Sequence, residues 1–115
     1  ERAVEALILL GADRILTSGG APDVWSGRTQ LQKLQSQYGK EITFLAGSGV
    51  NAQNVKALME YTRIEQVHTS CRSWQPDVTA SLQDVDFSYD RNRKNAYEAV
   101  DAGKVKEMRA AMPIL

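Results

Sequence analysis

The chain has 115 residues, of which 43% are hydrophobic and 24% charged, a composition typical of a globular domain rather than of a disordered or fibrous protein. Its 14 basic residues balance its 14 acidic ones, so no net charge favours nucleic acid or an anionic membrane as a partner. No apolar run approaches the roughly 20 residues of a membrane-spanning helix. The single cysteine excludes an internal disulfide and fits a reducing compartment.

The first predicted elements are a helix and a strand. Apolar residues recur at helical spacing over residues 1–10, and a short buried strand is predicted over Arg14–Thr17. The loop of small residues after this strand has two interpretations. It is either a plain strand-to-helix turn or the mouth of a pocket, lined by Ser18, Gly19 and Gly20.

The next segment predicts a second helix and a second strand. Leucines at helical spacing place the helix over residues 29–38. Trp25 before it is either a packing residue at the helix start, which is the default, or part of a subunit contact. Residues Ile42–Ala46 form a short apolar run without polar alternation, as in a parallel strand that is buried on both faces. This run is followed at once by the glycine turn Gly47-Ser48-Gly49.

The glycine turn is a candidate anion site. We expect it to open directly onto a helix capped by Asn51, so that free backbone N–H groups would stand at a helix N-terminus. The predicted site consists of Gly47, Ser48 and Gly49, and the residues expected on the same rim, one strand back, are Ser18 and Gly19. A glycine turn that merely reverses the chain is the alternative.

A third strand is predicted over Glu65–Thr69, and two candidate metal ligands lie in or just after it. His68 is the only histidine and Cys71 the only cysteine. A hydrogen-bonded structural histidine and a small buried cysteine are their usual roles. The alternative is that both are soft ligands for copper, a role in which a nearby methionine thioether is also conceivable. Core packing explains the three methionines better, namely Met59, Met108 and Met112.

Residues 72–95 read as a long, polar and irregular connection. Its large aromatic residues are expected to anchor it to the barrel or to a neighbouring subunit, and these are Trp74, Phe87 and Tyr89. A small basic cluster is either a solvated loop or the rim of an anion site, and it contains Arg91, Arg93 and Lys94. A final helix is predicted from a cap at Asp101 to about Met112.

Three segments of the chain resemble the CutC copper-homeostasis family. They are LTSGGAP at 16–22, LAGSGVNAQNV at 45–55 and VHTSCRSW at 67–74, and a weaker match extends through residues 101–108. The resemblance covers nearly the whole chain but only the carboxyl-terminal half of that family's domain. It implies a (β/α)8 barrel, a cytoplasmic location and a role in copper handling. The family's better-known candidate copper cysteines lie in the amino-terminal half, which has no counterpart here.

The spacing of the strands also suggests part of a barrel. Strands about 25–30 residues apart are typical of βα units in a fold that needs about 250 residues. We therefore predict an α/β chain in which residues 1–115 are the carboxyl-terminal portion of a single TIM-barrel domain, with about three parallel strands and outer helices. Such a sheet exposes an edge and an apolar face, so we expect Phe44 and Leu45 to contact strands from outside this sequence, in a homo-oligomer or in the missing half of the barrel.

Three classes of function remain open from the sequence. The first is a cytoplasmic copper-homeostasis protein, with a copper ion as the bound species. The second is a barrel enzyme or binding protein for a phosphorylated small molecule, and the third is a part of a barrel that serves only folding or assembly. No catalytic residue can be named, because the chain contains no paired carboxylates, nucleophile motif or P-loop.

Overall fold

The computed structural model describes residues 1–78, 90, 92–93 and 95–115. These residues form two compact units. The first contains residues 1–69 and 107–115, and the second contains residues 70–106.

The first unit is built from alternating helices and parallel strands. Its elements are α1 (Arg2–Leu9), β1 (Arg14–Thr17), α2 (Arg28–Tyr38), β2 (Thr43–Ala46), α3 (Val55–Thr62) and β3 (Gln66–Val67). The three strands pair in parallel in the order β1-β2-β3. The predicted mixed α/β class and the parallel pairing are therefore confirmed, whereas closure into a barrel stays a prediction.

Helix α1 ends as its sequence predicts but buries less than its sequence predicts. The Gly11 amide donates to the Ile8 carbonyl and the Ala12 amide to the Leu7 carbonyl, which is the Schellman arrangement at a helix C-terminus. Only Val4 of this helix is buried, and Leu10 remains 81% exposed. The predicted apolar stripe is thus only partly covered by this chain.

The core lies on one face of the sheet. Phe44 and Ala46 of β2 are fully buried, together with the inward residues of α2 and α3. The buried residues from these helices and their flanking segments are Val24, Leu31, Leu34, Tyr38, Ile42, Val50, Val55, Leu58, Met59 and Ile64. The expectation that Phe44 contacts strands from outside is wrong, because only 1% of its surface is exposed within this chain.

The other face of the sheet is open. Leu16 is paired with Leu45, and Leu45 with Gln66, so these three side chains share one face. Leu16 is 57% exposed, and Leu45 and Gln66 are half-buried. We call this surface the open face. His68 lies on it as well, because it follows Gln66 by two residues.

The second unit contains an antiparallel ribbon that the sequence did not indicate. Strand β4 (Arg72–Pro76), which lies in the connection predicted to be irregular, pairs with β5 (Ala96–Val100), which directly follows that connection. Trp74 lies opposite Glu98 in this register, and the Arg93 guanidinium stacks 5.0 Å from the Trp74 ring. The two other predicted anchors, Phe87 and Tyr89, lie outside the described residues.

Helix α4 (Ala102–Ala111) begins at the predicted cap. The Asp101 carboxylate accepts hydrogen bonds from the amides of Gly103 at 2.8 Å and Lys104 at 3.1 Å. These bonds satisfy two of the amides that a helix leaves without an internal partner. None of the helices in the described residues is long and apolar enough to span a membrane.

Candidate functional site

Two loops meet at the carboxyl ends of β1 and β2. Loop 1 is residues 18–27, and loop 2 is residues 47–54. Thr17 and Ala46 are register partners, and the Gly47 amide donates to the Thr17 carbonyl at 3.1 Å. The two halves of the predicted anion site, Ser18 with Gly19 and residues 47–49, therefore start side by side on one rim.

Hydrogen bonds fasten the two loops to each other. The Val24 amide donates to the Ser48 carbonyl at 3.0 Å, and the Ser48 hydroxyl donates to the Pro22 carbonyl at 2.9 Å. Loop 1 is also closed upon itself, because a Cβ atom on Gly27 would overlap the Ser18 carbonyl oxygen. The two loops of this rim are thus held together by hydrogen bonds and are not two independent turns.

Asp23 is a charged residue of this rim that the sequence analysis did not identify. Its carboxylate accepts hydrogen bonds from the Ser26 amide at 2.9 Å and the Ser26 hydroxyl at 3.0 Å. These bonds, the backbone one first, stabilise the ionised form and lower the pKa of Asp23 below its ordinary value of 3.8. A Cβ atom on Gly49 would lie 3.5 Å from the Asp23 Cβ. The Asp-x-x-Ser spacing at 23–26 was the available signal.

Loop 2 does not open directly onto a helix, so this part of the prediction is wrong. The Asn51 carboxamide oxygen accepts hydrogen bonds from the amides of Gln53 at 3.0 Å and Asn54 at 3.1 Å. These bonds hold a separate turn, and α3 begins only at Val55. The glycine turn is therefore set back from the helix terminus, and amides next to that terminus already have a partner within the chain.

His68 lies beside the glycine turn on the open face. Its amide donates to the Ala46 carbonyl at 2.8 Å, which places it level with Gly47. A Cβ atom on Gly47 would be 3.5 Å from the His68 Cβ and 3.7 Å from its Nδ1. The imidazole is exposed. The structure therefore brings together two candidates that the sequence presented separately.

Cys71 belongs to the second unit, whereas His68 belongs to the first. Cys71 is half-buried, and its carbonyl accepts a hydrogen bond from the Asp101 amide at 2.8 Å. Within the described residues, no cluster of three or more His, Cys, Asp or Glu side chains could hold a metal ion. Met59 and Met108 are buried, as core packing predicts.

The predicted basic cluster is only partly described. Arg91 and Lys94 lie outside the described residues. Arg93 pairs with Asp90, with 3.7 Å between Nε and Oδ2, and it also stacks on Trp74. The positive charge of Arg93 therefore already has a carboxylate and an aromatic ring as partners within the second unit.

A crevice opens at the other end of the sheet. It has a volume of about 170 Å³ and lies where β2 and β3 begin. Its lining residues are Gln35, Gly39, Thr43, Phe44, Glu65 and Gln66. The sequence does not indicate this crevice, because its lining combines residues 35–44 with Glu65 and Gln66, which lie more than 20 positions further along the chain.

Comparison with known proteins assigns the chain to one family. The profile of the CutC family matches residues 1–73. Curated relatives, each bearing the name family protein CutC, include one from Glaesserella parasuis that is 35% identical over 90% of this chain and 42% of its own length. Another from Rhizobium meliloti is 33% identical over 96% of this chain and 43% of its own length. A third, from Vibrio parahaemolyticus, is 42% identical over 66% of this chain and 31% of its own length. The chain thus spans less than half the length of these relatives.

Proposed function

Because this chain belongs to the CutC family, we propose that it takes part in cytoplasmic copper homeostasis, with a copper ion as its cargo. Family membership is the observation that carries this proposal. The structure adds an exposed imidazole, His68, on the open face at the rim where parallel sheets commonly bind ligands.

The donor chemistry of the chain suits Cu(I) in an exchangeable form. His68 offers one imidazole nitrogen and Cys71 one thiolate, and both are ligands that Cu(I) accepts. A single donor of either kind leaves coordination positions of the ion open, which is what a protein that passes its ion onward requires. Further donors could come from a partner or from parts of the relatives that have no counterpart in this chain.

Competition for Cu(I) under anaerobic conditions tests this proposal. We expect the protein to withdraw Cu(I) from a chromogenic chelator and His68→Ala or Cys71→Ala to weaken that withdrawal at least about tenfold, the equivalent of 1.4 kcal/mol. Asp23→Asn, which alters the same rim without removing a soft donor, is the matched control. Withdrawal that is equal in all four proteins would exclude both residues as copper donors.

A second candidate function is the binding of a small phosphorylated molecule at loop 2. Its support is that, in the described part of the chain, the amides of Ser48 and Gly49 donate to no protein acceptor. The neighbouring carboxylate of Asp23 opposes an anion there, so we expect such binding to be weak. We assign no reaction to this site and leave open whether the protein is an enzyme.

Calorimetric titration with inorganic phosphate tests the second candidate. Gly49→Ala should abolish binding if loop 2 holds the anion, because the added methyl group strains the backbone at φ +79°. Gly11→Ala is a matched control for the backbone strain, since Gly11 has φ +78° and lies at the end of α1, away from loop 2. Equal heats from the wild-type protein and both variants would remove loop 2 as the site.

A further inference from the structure

An arginine stands between two exposed aromatic rings on the helical side of the first unit. Trp25 is 43% exposed and Tyr61 41% exposed. The Arg28 guanidinium carbon lies 4.7 Å from the centre of the Trp25 ring and 5.9 Å from that of the Tyr61 ring. The expectation that Trp25 packs away from solvent is therefore only partly met, and we call these three residues the aromatic-arginine patch.

The guanidinium of this patch is held in place without being neutralised. Its Nη1 donates to the Trp25 carbonyl at 2.5 Å, and its central carbon contacts both rings. Among the residues that the structure describes, no carboxylate forms an ion pair with Arg28. A guanidinium carries five N–H donors, so about four remain for a ligand.

The backbone beneath the patch is also fixed. The Gln32 side-chain amide donates to the Tyr61 carbonyl at 3.0 Å and so ties α2 to the end of α3. An arginine and two aromatic rings that are already ordered lose little side-chain entropy when a partner binds. Trp, Tyr and Arg are also the residue types that contribute most to binding energy at protein interfaces.

We propose that the aromatic-arginine patch is a docking site for an acidic peptide segment of a partner protein. A glutamate or aspartate of that segment would accept a forked pair of hydrogen bonds from Arg28. An apolar side chain beside it would cover the exposed ring of Trp25 or Tyr61. This site shares Trp25 with loop 1 but differs in its chemistry from the anion site of loop 2, and it does not depend on the copper proposal.

The charges favour a peptide over other occupants. A second copy bound by a two-fold contact centred on Arg28 would bring two guanidinium groups together, which is repulsive. Nucleic acid is disfavoured because the chain carries 14 basic and 14 acidic residues and thus no net positive charge. A free inorganic anion would satisfy the arginine but would leave both rings exposed.

Fluorescence anisotropy with a labelled peptide of alternating glutamate and leucine tests the proposal. We expect saturable binding to the protein and none for the same peptide with lysine in place of glutamate. Arg28→Gln should weaken binding about tenfold or more, as expected for the loss of a charged hydrogen bond. Trp25→Ala should weaken it at least several-fold, and Arg28→Lys, which keeps the charge but loses the fork, should fall between Arg28→Gln and the wild type.

Lys33→Gln is the matched control, because Lys33 is another cation of α2 and already pairs with Glu1. It should leave binding unchanged. If Lys33→Gln weakens peptide binding as much as Arg28→Gln does, the protein attracts anions in general and the proposal is overturned. The same conclusion follows if inorganic phosphate, at the same concentration of negative charge as the peptide, displaces it. Absence of saturable binding would overturn it as well. So would a dimer in sedimentation that Arg28→Gln dissociates, since that result would identify a second copy as the occupant.

Discussion

Two glycines of the rim show how the same substitution can have different costs. At Gly27 an added Cβ would meet the Ser18 carbonyl oxygen, which is backbone and cannot move alone. At Gly47 it would come within 2.6 Å of Leu16 Cδ1, the end of a flexible side chain that is more than half exposed. The two substitutions differ in cost because the first requires backbone to move and the second only a side chain.

We therefore expect Gly27→Ala to lower the free energy of unfolding by about 2–3 kcal/mol, the range for overpacking against a fixed neighbour. Gly47→Ala should cost less than about 1 kcal/mol, because Leu16 can rotate away. Urea unfolding of both variants measures this contrast. Similar midpoints for the two would show that loop 1 relaxes easily and that its closure at Gly27 is not rigid.

Tyr38 makes a second prediction at the scale of one residue. Its hydroxyl donates to Glu5 Oε1 at 2.8 Å, and this bond, followed by burial and the charge of Glu5, raises the pKa of Tyr38 to about 12. The neutral phenol is thus favoured by folding. Its contribution to stability is complete below pH 10, the ordinary pKa, and is lost as the pH rises from there to about 12.

Alkaline titration followed by phenolate absorbance should show a late phase near pH 12 that comes from Tyr38. Tyr38→Phe should remove this late phase. Glu5→Gln should move this phase toward pH 10, since the carboxylate that accepts the hydrogen bond of the Tyr38 hydroxyl is gone. A late phase that persists in Tyr38→Phe would assign it to another tyrosine.

At the scale of elements, the local sequence pattern predicted the bounds of a helix or strand well where the residues that determine those bounds lie within the segment itself. Strand β1 occupies the residues predicted for it, and α2 differs from its prediction by one residue at its start. Strand β3 is limited to Gln66–Val67, shorter than predicted, and it pairs with β2 only through Leu45 and Ala46. Helix α3 begins at Val55 because Asn51 stabilises a turn before it.

The ribbon of β4 and β5 could not be found from local pattern. Its residues mix polar and apolar types and are all exposed or half-buried, and its register joins residues at least 20 positions apart, such as Arg72 and Val100. The pairing of Arg72 with Glu98 is likewise invisible along the chain. At the candidate site the same limit applied: the sequence indicated His68 and Gly47, but only the register of β2 with β3 makes them neighbours.

The cap of α4 gives a prediction for an element. Backbone hydrogen bonds from Lys104 and then Gly103 contribute to lowering the pKa of Asp101 below 3.8. The ionised carboxylate therefore stabilises the helix above that pH, and the contribution is lost as the pH falls through the lowered pKa. Asp101→Ala should speed amide exchange at Gly103 and Lys104, and Asp101→Asn, which keeps a capping oxygen, should do so less. Unchanged exchange in Asp101→Ala would show that the cap does not hold the helix start.

At the scale of the whole molecule, the main question is what covers the open face. Within the described residues, Leu16 on this face is 57% exposed and Leu45 is half-buried, whereas Phe44 and Ala46 on the other face are fully buried. The relatives are more than twice as long as the region they share with this chain. We propose that further strands of the same parallel sheet cover this face in a (β/α)8 barrel, as the family resemblance implies.

The 115 residues expressed alone should therefore self-associate through the open face. Leu16→Glu should reduce this association in sedimentation experiments, because it places a charge on that face. Leu9→Glu is the control, since Leu9 is 89% exposed but belongs to α1. A strictly monomeric product with a cooperative thermal transition would contradict the prediction.

The closure of loop 1 also bears on how this rim could be redesigned. Loops at the ends of parallel strands are usually where a fold accepts new sequence. In loop 1 the two ends touch backbone to backbone at Ser18 and Gly27, so the loop is a closed ring with a fixed neck. New residues are therefore best inserted at the tip, after Gly20, where the structure leaves open space, while Gly20 itself, with φ +77°, and the neck keep their amino acids. Specificity at this rim can be engineered by grafting at the tip without disturbing the fastening of loop 1 to loop 2.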